Sequence, residues 1–225
     1  MDLPSSFLNI RKRIADACHR CGREPASVKL IAASKAQTPT RIAELHALGQ
    51  KFFGENYAVE LIKKTAELPS SIEWSYIGQL QSNKIKRIMG AAHEIQSVAS
   101  LKHVRLIAQY AEELAKAPYP IFLELNIPND TTKAGLAFGE LDRLVEQILT
   151  QYPQLALQGI MAVPPQRFAN HWDSEGEALY RNLRKLADGV GAGQLSLGMS
   201  ADLEHAIACG SDILRIGSAL MGART

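Results

Sequence analysis

Lys35 stands at the end of an apolar and small run, Leu30-Ile31-Ala32-Ala33-Ser34. An amine at the end of a buried strand is partly desolvated. Desolvation favours the neutral form, which is the form that attacks a carbonyl carbon. Lys35 is therefore a Schiff-base candidate, against the plainer reading of a lysine that snorkels at a strand end. Two later stretches could bind an oxyanion. Ser200 precedes a helical pattern, where an N-cap would leave free N–H groups behind it. Gly217-Ser218 follows a β-rich run, and a glycine lets backbone approach an oxyanion closely. The segment 219–223 could supply further N–H donors. In the plain reading Ser200 only caps its helix and Gly217 only turns the chain. Arg215 lies two residues before Gly217, on the same face of its strand. A guanidinium there needs a ligand or a partner, with Glu55 and Asp212 as candidate ion pairs.

These residues must be positioned by the elements around them. A helical spacing of Phe7, Ile10, Ile14 and Cys18 marks a leading helix, with Ser5 and Ser6 as possible caps. After it, β-rich runs at 28–34, 52–55, 74–78, 94–98, 121–127, 157–163, 195–200 and 213–218 alternate with helical patterns. The helical patterns are 40–48, 58–67, 83–89, 101–115, 139–151, 172–188 and 202–208. Largely apolar runs such as VKLIAAS, IFLELNI and LQGIMAV suit strands buried on both faces of a parallel sheet. Eight strands separated by seven helices predict an α/β (β/α)8 TIM-type barrel with an extra N-terminal helix, and one domain over 1–225. An open doubly wound sheet is the alternative, and no G-x-G-x-x-G after the first strand supports it. In such a barrel chemistry sits at the C-terminal strand ends, which is where Lys35, Ser200, Arg215 and Gly217 fall.

Composition narrows the partners. The 25 basic and 23 acidic side chains leave a formal charge of +2. That balance argues against nucleic acid or a membrane surface as the main partner, and 6% aromatic residues argue against a base-stacking platform. Cys18, Cys21 and Cys209 make an odd, low count, which fits a reducing compartment. Cys18-x-x-Cys21 lacks a second Cys/His pair to complete a zinc site. The N-terminus has Asp2 and no apolar core of a secretory signal, so a cytoplasmic location is expected. A strand-end lysine with a phosphate site suggests two ligands. One is a phosphorylated sugar, as in lysine-dependent aldolases; the other is pyridoxal 5′-phosphate (PLP).

Six stretches together resemble a known family. They are Ser34-Lys35, Phe53-Gly54-Glu55-Asn56-Tyr57, Ile77-Gly78-Gln79-Leu80-Gln81-Ser82-Asn83-Lys84, Gly159-Ile160-Met161-Ala162-Val163, Leu197-Gly198-Met199-Ser200 and Arg215-Ile216-Gly217-Ser218. They are similar to the pyridoxal phosphate homeostasis protein family, itself similar to the N-terminal barrel of alanine racemase. The resemblance implies PLP held as a Schiff base on Lys35, with phosphate contacts from Ser200, Gly217 and Ser218. It implies Asn56 close to the cofactor ring, Arg215 facing the pyridine nitrogen and Met199 lining the pocket. No metal is implied. The implied role is buffering and delivery of PLP inside the cell, with PLP-dependent apoenzymes as transient partners. Alanine racemase adds a second, β-rich domain that supplies a tyrosine base across its dimer. That part is missing from these 225 residues, so a monomer without efficient catalysis is expected. A weak racemase-like PLP enzyme is the alternative. Many family members carry Lys-x-Lys-Pro at the first strand end and Trp-His before the third strand's end. Here Gln37 replaces the second lysine, and Trp74-Ser75 replaces Trp-His. Lys84 and Lys133 remain as further amines near the mouth.

Overall fold

The computed structural model describes residues 2–127, 135–165, 167–168 and 171–222. Eight parallel strands close into a barrel in sequence order, each hydrogen-bonded to the next and the last to the first. They are β1 (Lys29–Ala33), β2 (Phe52–Glu55), β3 (Glu73–Tyr76), β4 (Glu94–Val98), β5 (Tyr119–Leu125), β6 (Leu155–Ala162), β7 (Gln194–Ser196) and β8 (Ile213–Ile216). The expected TIM-type barrel is the observed fold, and the open sheet is not. A parallel strand needs a crossover to return, and the helices supply it. They are α2 (Pro39–Ala47), α3 (Ala58–Glu67), α4 (Ile85–Ala91), α5 (Leu101–Glu113), α6 (Leu141–Gln151), α7 (Ser174–Asp188) and α8 (Leu203–Ala208). A four-residue helix, α9 (Ser218–Met221), follows β8.

The extra helix α1 (Leu3–Arg20) packs against α8 and α9 through a stripe that includes Leu3, Ile10, Ile14 and Cys18. It starts earlier than the apolar spacing predicts. Asp2 is the N-cap, accepting a 2.8 Å bond from the Ser5 amide, and Pro4 fits the first turn. A carboxylate cap and a proline that needs no N–H donor together move the start ahead of Ser5 and Ser6. Cys18 is buried on the inner face of this helix and Cys21 is exposed beyond it.

Strand alternation gives the barrel an inner layer. Ile31, Phe122, Met161 and Ile213 form its apolar part. The inner layer also holds polar side chains, Ser75, Glu94, Gln96, Ser196 and Arg215, joined by hydrogen bonds. The near-continuous apolar reading of the strands is thus incomplete. The outer faces bury against helices, while part of the interior is polar and internally satisfied.

The predicted β7 run of 195–200 ends at Ser196. Gly198 takes φ +101°, and an added Cβ would lie 2.5 Å from the Ala206 Cβ. Only glycine fits there, and the turn it makes ends the strand and throws Met199–Asp202 into the barrel mouth. The N-cap of α8 is Asp202, two residues beyond the expected Ser200. The Asp202 carboxylate instead accepts from the Met199 amide at 2.6 Å, closing the loop on itself.

Candidate functional site

A cavity of about 440 Å³ opens at the C-terminal ends of the strands. That volume suits a small cofactor. Lys35 and Asn56 line it from the ends of β1 and β2. Met199 and Ser200 come from the β7 loop, and Arg215, Gly217 and Ser218 from β8 and its exit. All seven residues singled out in the sequence meet in this one space. A larger groove of about 580 Å³ lies between α3 and α4. Its one lysine, Lys116, is committed to the Met89 and Gly90 carbonyls at 2.6 and 3.2 Å, so it offers no free nucleophile.

Among the described residues the Lys35 amine has no hydrogen-bond or ion-pair partner, although it is half-buried. The amides of Ser200, Ala201 and Ser218 likewise find no acceptor among the described residues. Gly217 has a negative φ, and an added Cβ would meet only Ala33 atoms at 3.6 and 3.7 Å. Packing does not demand a glycine there. What its missing side chain leaves clear is the cavity. Free donors, a free amine and a glycine that packing does not require fit an anionic carbonyl ligand.

Arg215 is buried. Its Nη1 donates to Ser196 Oγ at 2.5 Å and its Nη2 to the Ala162 carbonyl at 2.7 Å. The two candidate ion-pair partners are wrong. Glu55 pairs with Lys64, while Asp212 pairs with Arg23 and Arg184 at the opposite end of the strands. Burial pushes the Arg215 guanidinium down to about 10, opposed by the charges of Glu124 and Asp202. It is still a cation at neutral pH.

The strand ends that carry Lys35 and Asn56 are tied by a cluster that the sequence reading missed. Lys64 Nζ donates to Glu55 Oε2 and to Glu60 Oε2, each at 2.7 Å, and to the Ser34 carbonyl at 2.8 Å. Glu60 also accepts from the Ala36 amide, and Glu55 accepts from the Ser34 hydroxyl and the Asn56 amide. Residues on both sides of Lys35 are thereby held to the residue before Asn56. The sequence held one clue: Lys64 falls at helical spacing with Ala58 and Leu61, on the face of α3 that must be apolar.

The β7 loop is held from outside by Arg13 of α1. Its guanidinium bonds Glu204 at 2.7 and 2.9 Å and the Ser200 carbonyl at 3.1 Å. Behind the loop, the Tyr180 hydroxyl donates to Asp202, and burial followed by that charge pushes the phenol strongly up. The Trp172 ring stacks on His205 and meets Tyr180 edge-on. Arg13→Ala is expected to cost about 1 kcal/mol, since both partners are about one-third exposed. It should also speed loss of any anion held at Ser200. Thermal melting and ligand off-rates, at low and high salt, check this; an unchanged off-rate would remove α1 from the site's support.

Lys84 does not reach the main cavity. It lines a neighbouring recess of about 570 Å³ that shares Asn56. Lys133 lies outside the described residues.

Residues 8–225 match the family model for the alanine racemase N-terminal domain. The chain is 38% identical over 231 residues to the pyridoxal phosphate homeostasis protein of Pseudomonas aeruginosa, covering 99% of this chain and 96% of that one. The chain belongs to the pyridoxal phosphate homeostasis protein family. The Escherichia coli member is 34% identical, covering 99% and 97%. Among solved structures, PipY of Synechococcus elongatus with PLP bound superposes with a TM-score of 0.79 at 32% identity, covering 95% of this chain and all of that one. Alanine racemase from Bartonella henselae shares the barrel alone, at 16% identity and a TM-score of 0.74 over 60% of its chain. The family resemblance read from FGENY, GQLQSNK and GMS with RIG therefore holds. Among the described residues no helix is long and apolar enough to cross a membrane.

Proposed function

We propose that this chain binds PLP through Lys35 and that, as a monomer of one domain, it holds the cofactor and passes it on in the cytoplasm without efficient turnover. The observation that carries the reading is the meeting in one cavity of about 440 Å³ of a buried arginine with a lysine and amides that have no partner among the described residues. PipY, a relative at 32% identity, has been solved with PLP bound, which supports it. When bound, PLP supplies an aldehyde that condenses with a primary amine and a pyridine ring that can draw electrons.

The residues then have separate tasks. Lys35 presents its amine from the end of β1. Ser200, Gly217 and Ser218 present amides and hydroxyls to the phosphate, with no competing acceptor among the described residues. Asn56 flanks the ring and Met199 closes a wall. Arg215 faces the pyridine nitrogen. It stays charged, cannot take up a proton and therefore leaves that nitrogen unprotonated, which weakens support for carbanion chemistry. A racemase would also need a second acid–base group. Asp202 is the one carboxylate among the described lining residues, and the Tyr180 hydroxyl and Met199 amide engage it. Holding the cofactor is thus favoured over turning substrates over. Three unpaired cysteines suit the cytoplasm.

The test is the visible spectrum of the purified protein before and after borohydride, with peptide mapping. A visible band that borohydride bleaches, with the reduced adduct mapping to Lys35, is expected, together with no measurable turnover of D- or L-amino acids. A colourless protein that takes up no added PLP would overturn the reading. Ser200→Ala removes one charge-assisted contact and is expected to weaken retention by about 1.5–3 kcal/mol. Unchanged retention on dialysis counts against a phosphate role for Ser200.

A further inference from the structure

The polar layer inside the barrel forms one chain of hydrogen bonds that ends at Arg215. Arg215 Nη1 donates to Ser196 Oγ at 2.5 Å. Ser196 Oγ donates to Gln96 Oε1 at 2.7 Å, across the barrel from β7 to β4. Gln96 Nε2 donates to Glu94 Oε1 at 2.7 Å. Glu94 also accepts from Ser75 at 2.7 Å and from Lys29 at 3.3 Å. Lys29, at the start of β1, is 28% exposed, so the chain runs from one end of the barrel to the floor of the site.

From Arg215 to Glu94 every bond points the same way, Lys29 and Ser75 donate into Glu94 from the other side, and that one acceptor sets the direction. An ionised carboxylate only accepts, so Glu94 forces the amide N–H of Gln96 toward itself. The Gln96 carbonyl must then face Ser196. The single Ser196 proton goes to that carbonyl, which leaves lone pairs for Arg215. Arg215 only donates, and it meets an acceptor. If Gln96 were reversed, two N–H donors would converge on Ser196 from opposite sides, and the Ser196 proton would have no acceptor. Aligned bonds of this kind also polarise one another. With Nη2 tied to the Ala162 carbonyl at 2.7 Å, both ends of the guanidinium are fixed. Glu124 and Asp202 act on Arg215 as nearby charges.

We propose that Gln96 is a positioning residue for Arg215, locked by Glu94 and acting through Ser196 to fix the plane in which the guanidinium meets the pyridine nitrogen of the cofactor. The part of this that concerns the pyridine rests on the cofactor reading above; the locking of Arg215 does not.

The experiment therefore has two readouts. In cofactor-free protein, 15N spectra of Arg215 report rotation of its Nη groups. In PLP-loaded protein, the visible band reports the field at the ring. The variants are Gln96→Leu, Glu94→Gln, both together, and Ser75→Ala. Glu94→Gln keeps the shape but removes the obligate acceptor. Ser75→Ala removes a bond to Glu94 without touching the direction of the chain. Gln96→Leu and Glu94→Gln are each expected to speed Nη rotation at least about tenfold, the scale of one lost charge-assisted bond. Each should also shift the visible band, and the double variant should do no more than either single one. Ser75→Ala should leave both readouts as they are. Native-like rotation of Arg215 in folded Glu94→Gln protein would overturn the proposal, as would additive effects in the double variant. A Ser75→Ala effect as large as that of Glu94→Gln would reduce the chain to general packing and overturn it too. Failure of the unaltered protein to take up PLP would sink the cofactor reading alone, because the 15N readout still decides whether Gln96 fixes Arg215.

Discussion

Protein carrying Lys35→Ala is expected to lose the covalent link to PLP completely. The amine at this strand end is half-buried, has no partner among the described residues, and lines the same cavity as the unpaired amides. The neighbouring amines do not replace it. Lys84 opens into the adjacent recess, and Lys64 is committed to two carboxylates and a carbonyl. Retention should fall at least about 100-fold, equivalent to about 2.7 kcal/mol. What remains should be reversible binding through the phosphate contacts. Gel filtration of PLP-loaded protein, followed by absorbance and borohydride trapping, gives the answer. If the variant keeps its visible band and the label maps to Lys84 or another lysine, the assignment of Lys35 fails.

The second large effect should come from Lys64→Ala. Lys64 and Glu55 form a buried ion pair, with side chains 5% and 0% exposed. Truncating one partner leaves the Glu55 carboxylate buried without its cation, which costs about 3–5 kcal/mol. For a chain of this size that is a drop in Tm of ~6–20 °C. The loss is not only global. The same amine holds the Ser34 carbonyl, next to Lys35, while Glu60 holds the Ala36 amide on its other side. PLP uptake should therefore slow even well below the melting temperature. The double change Lys64→Met with Glu55→Gln removes both charges and keeps an acceptor for the Asn56 amide. It is expected to recover most of the stability, because the fully buried charge of Glu55 is gone and Glu60, which also loses its cation, is 33% exposed to water. A Lys64→Ala melt within about 1 °C of the unaltered protein would contradict this account.

Different physical signals made different parts of the molecule legible. The run 52–55 and the helix 58–67 match the observed elements residue for residue, because an apolar strand and an amphipathic helix each carry their own period. Ends were read less well. The β7 strand stops at Ser196 because Gly198 needs a positive φ where neighbours leave no room for a Cβ, and that crowding comes from α8 and β8. The site was legible because a barrel sends its strand ends to one face. Once eight strands were counted, Lys35, Ser200, Arg215 and Gly217 fell at one face, and the family resemblance added Asn56, Met199 and Ser218.

What the sequence determined by itself was therefore the architecture and the set of residues at the mouth. The first follows from local periodicity and from chain order around a closed sheet, and the second from these together with the family's motifs. Only the tertiary structure decided who pairs with whom. Glu55 answers Lys64, Asp212 answers two arginines at the other end of the barrel, and Arg215 answers Ser196 and a carbonyl. Those choices depend on which way each side chain faces and how deeply it is buried. A partner 100 residues away, as Gln96 is for Ser196, leaves no trace in local spacing. Contacts across the inside of a barrel join strands that are neighbours neither in sequence nor in the sheet, so their pairing exists only once the barrel has closed.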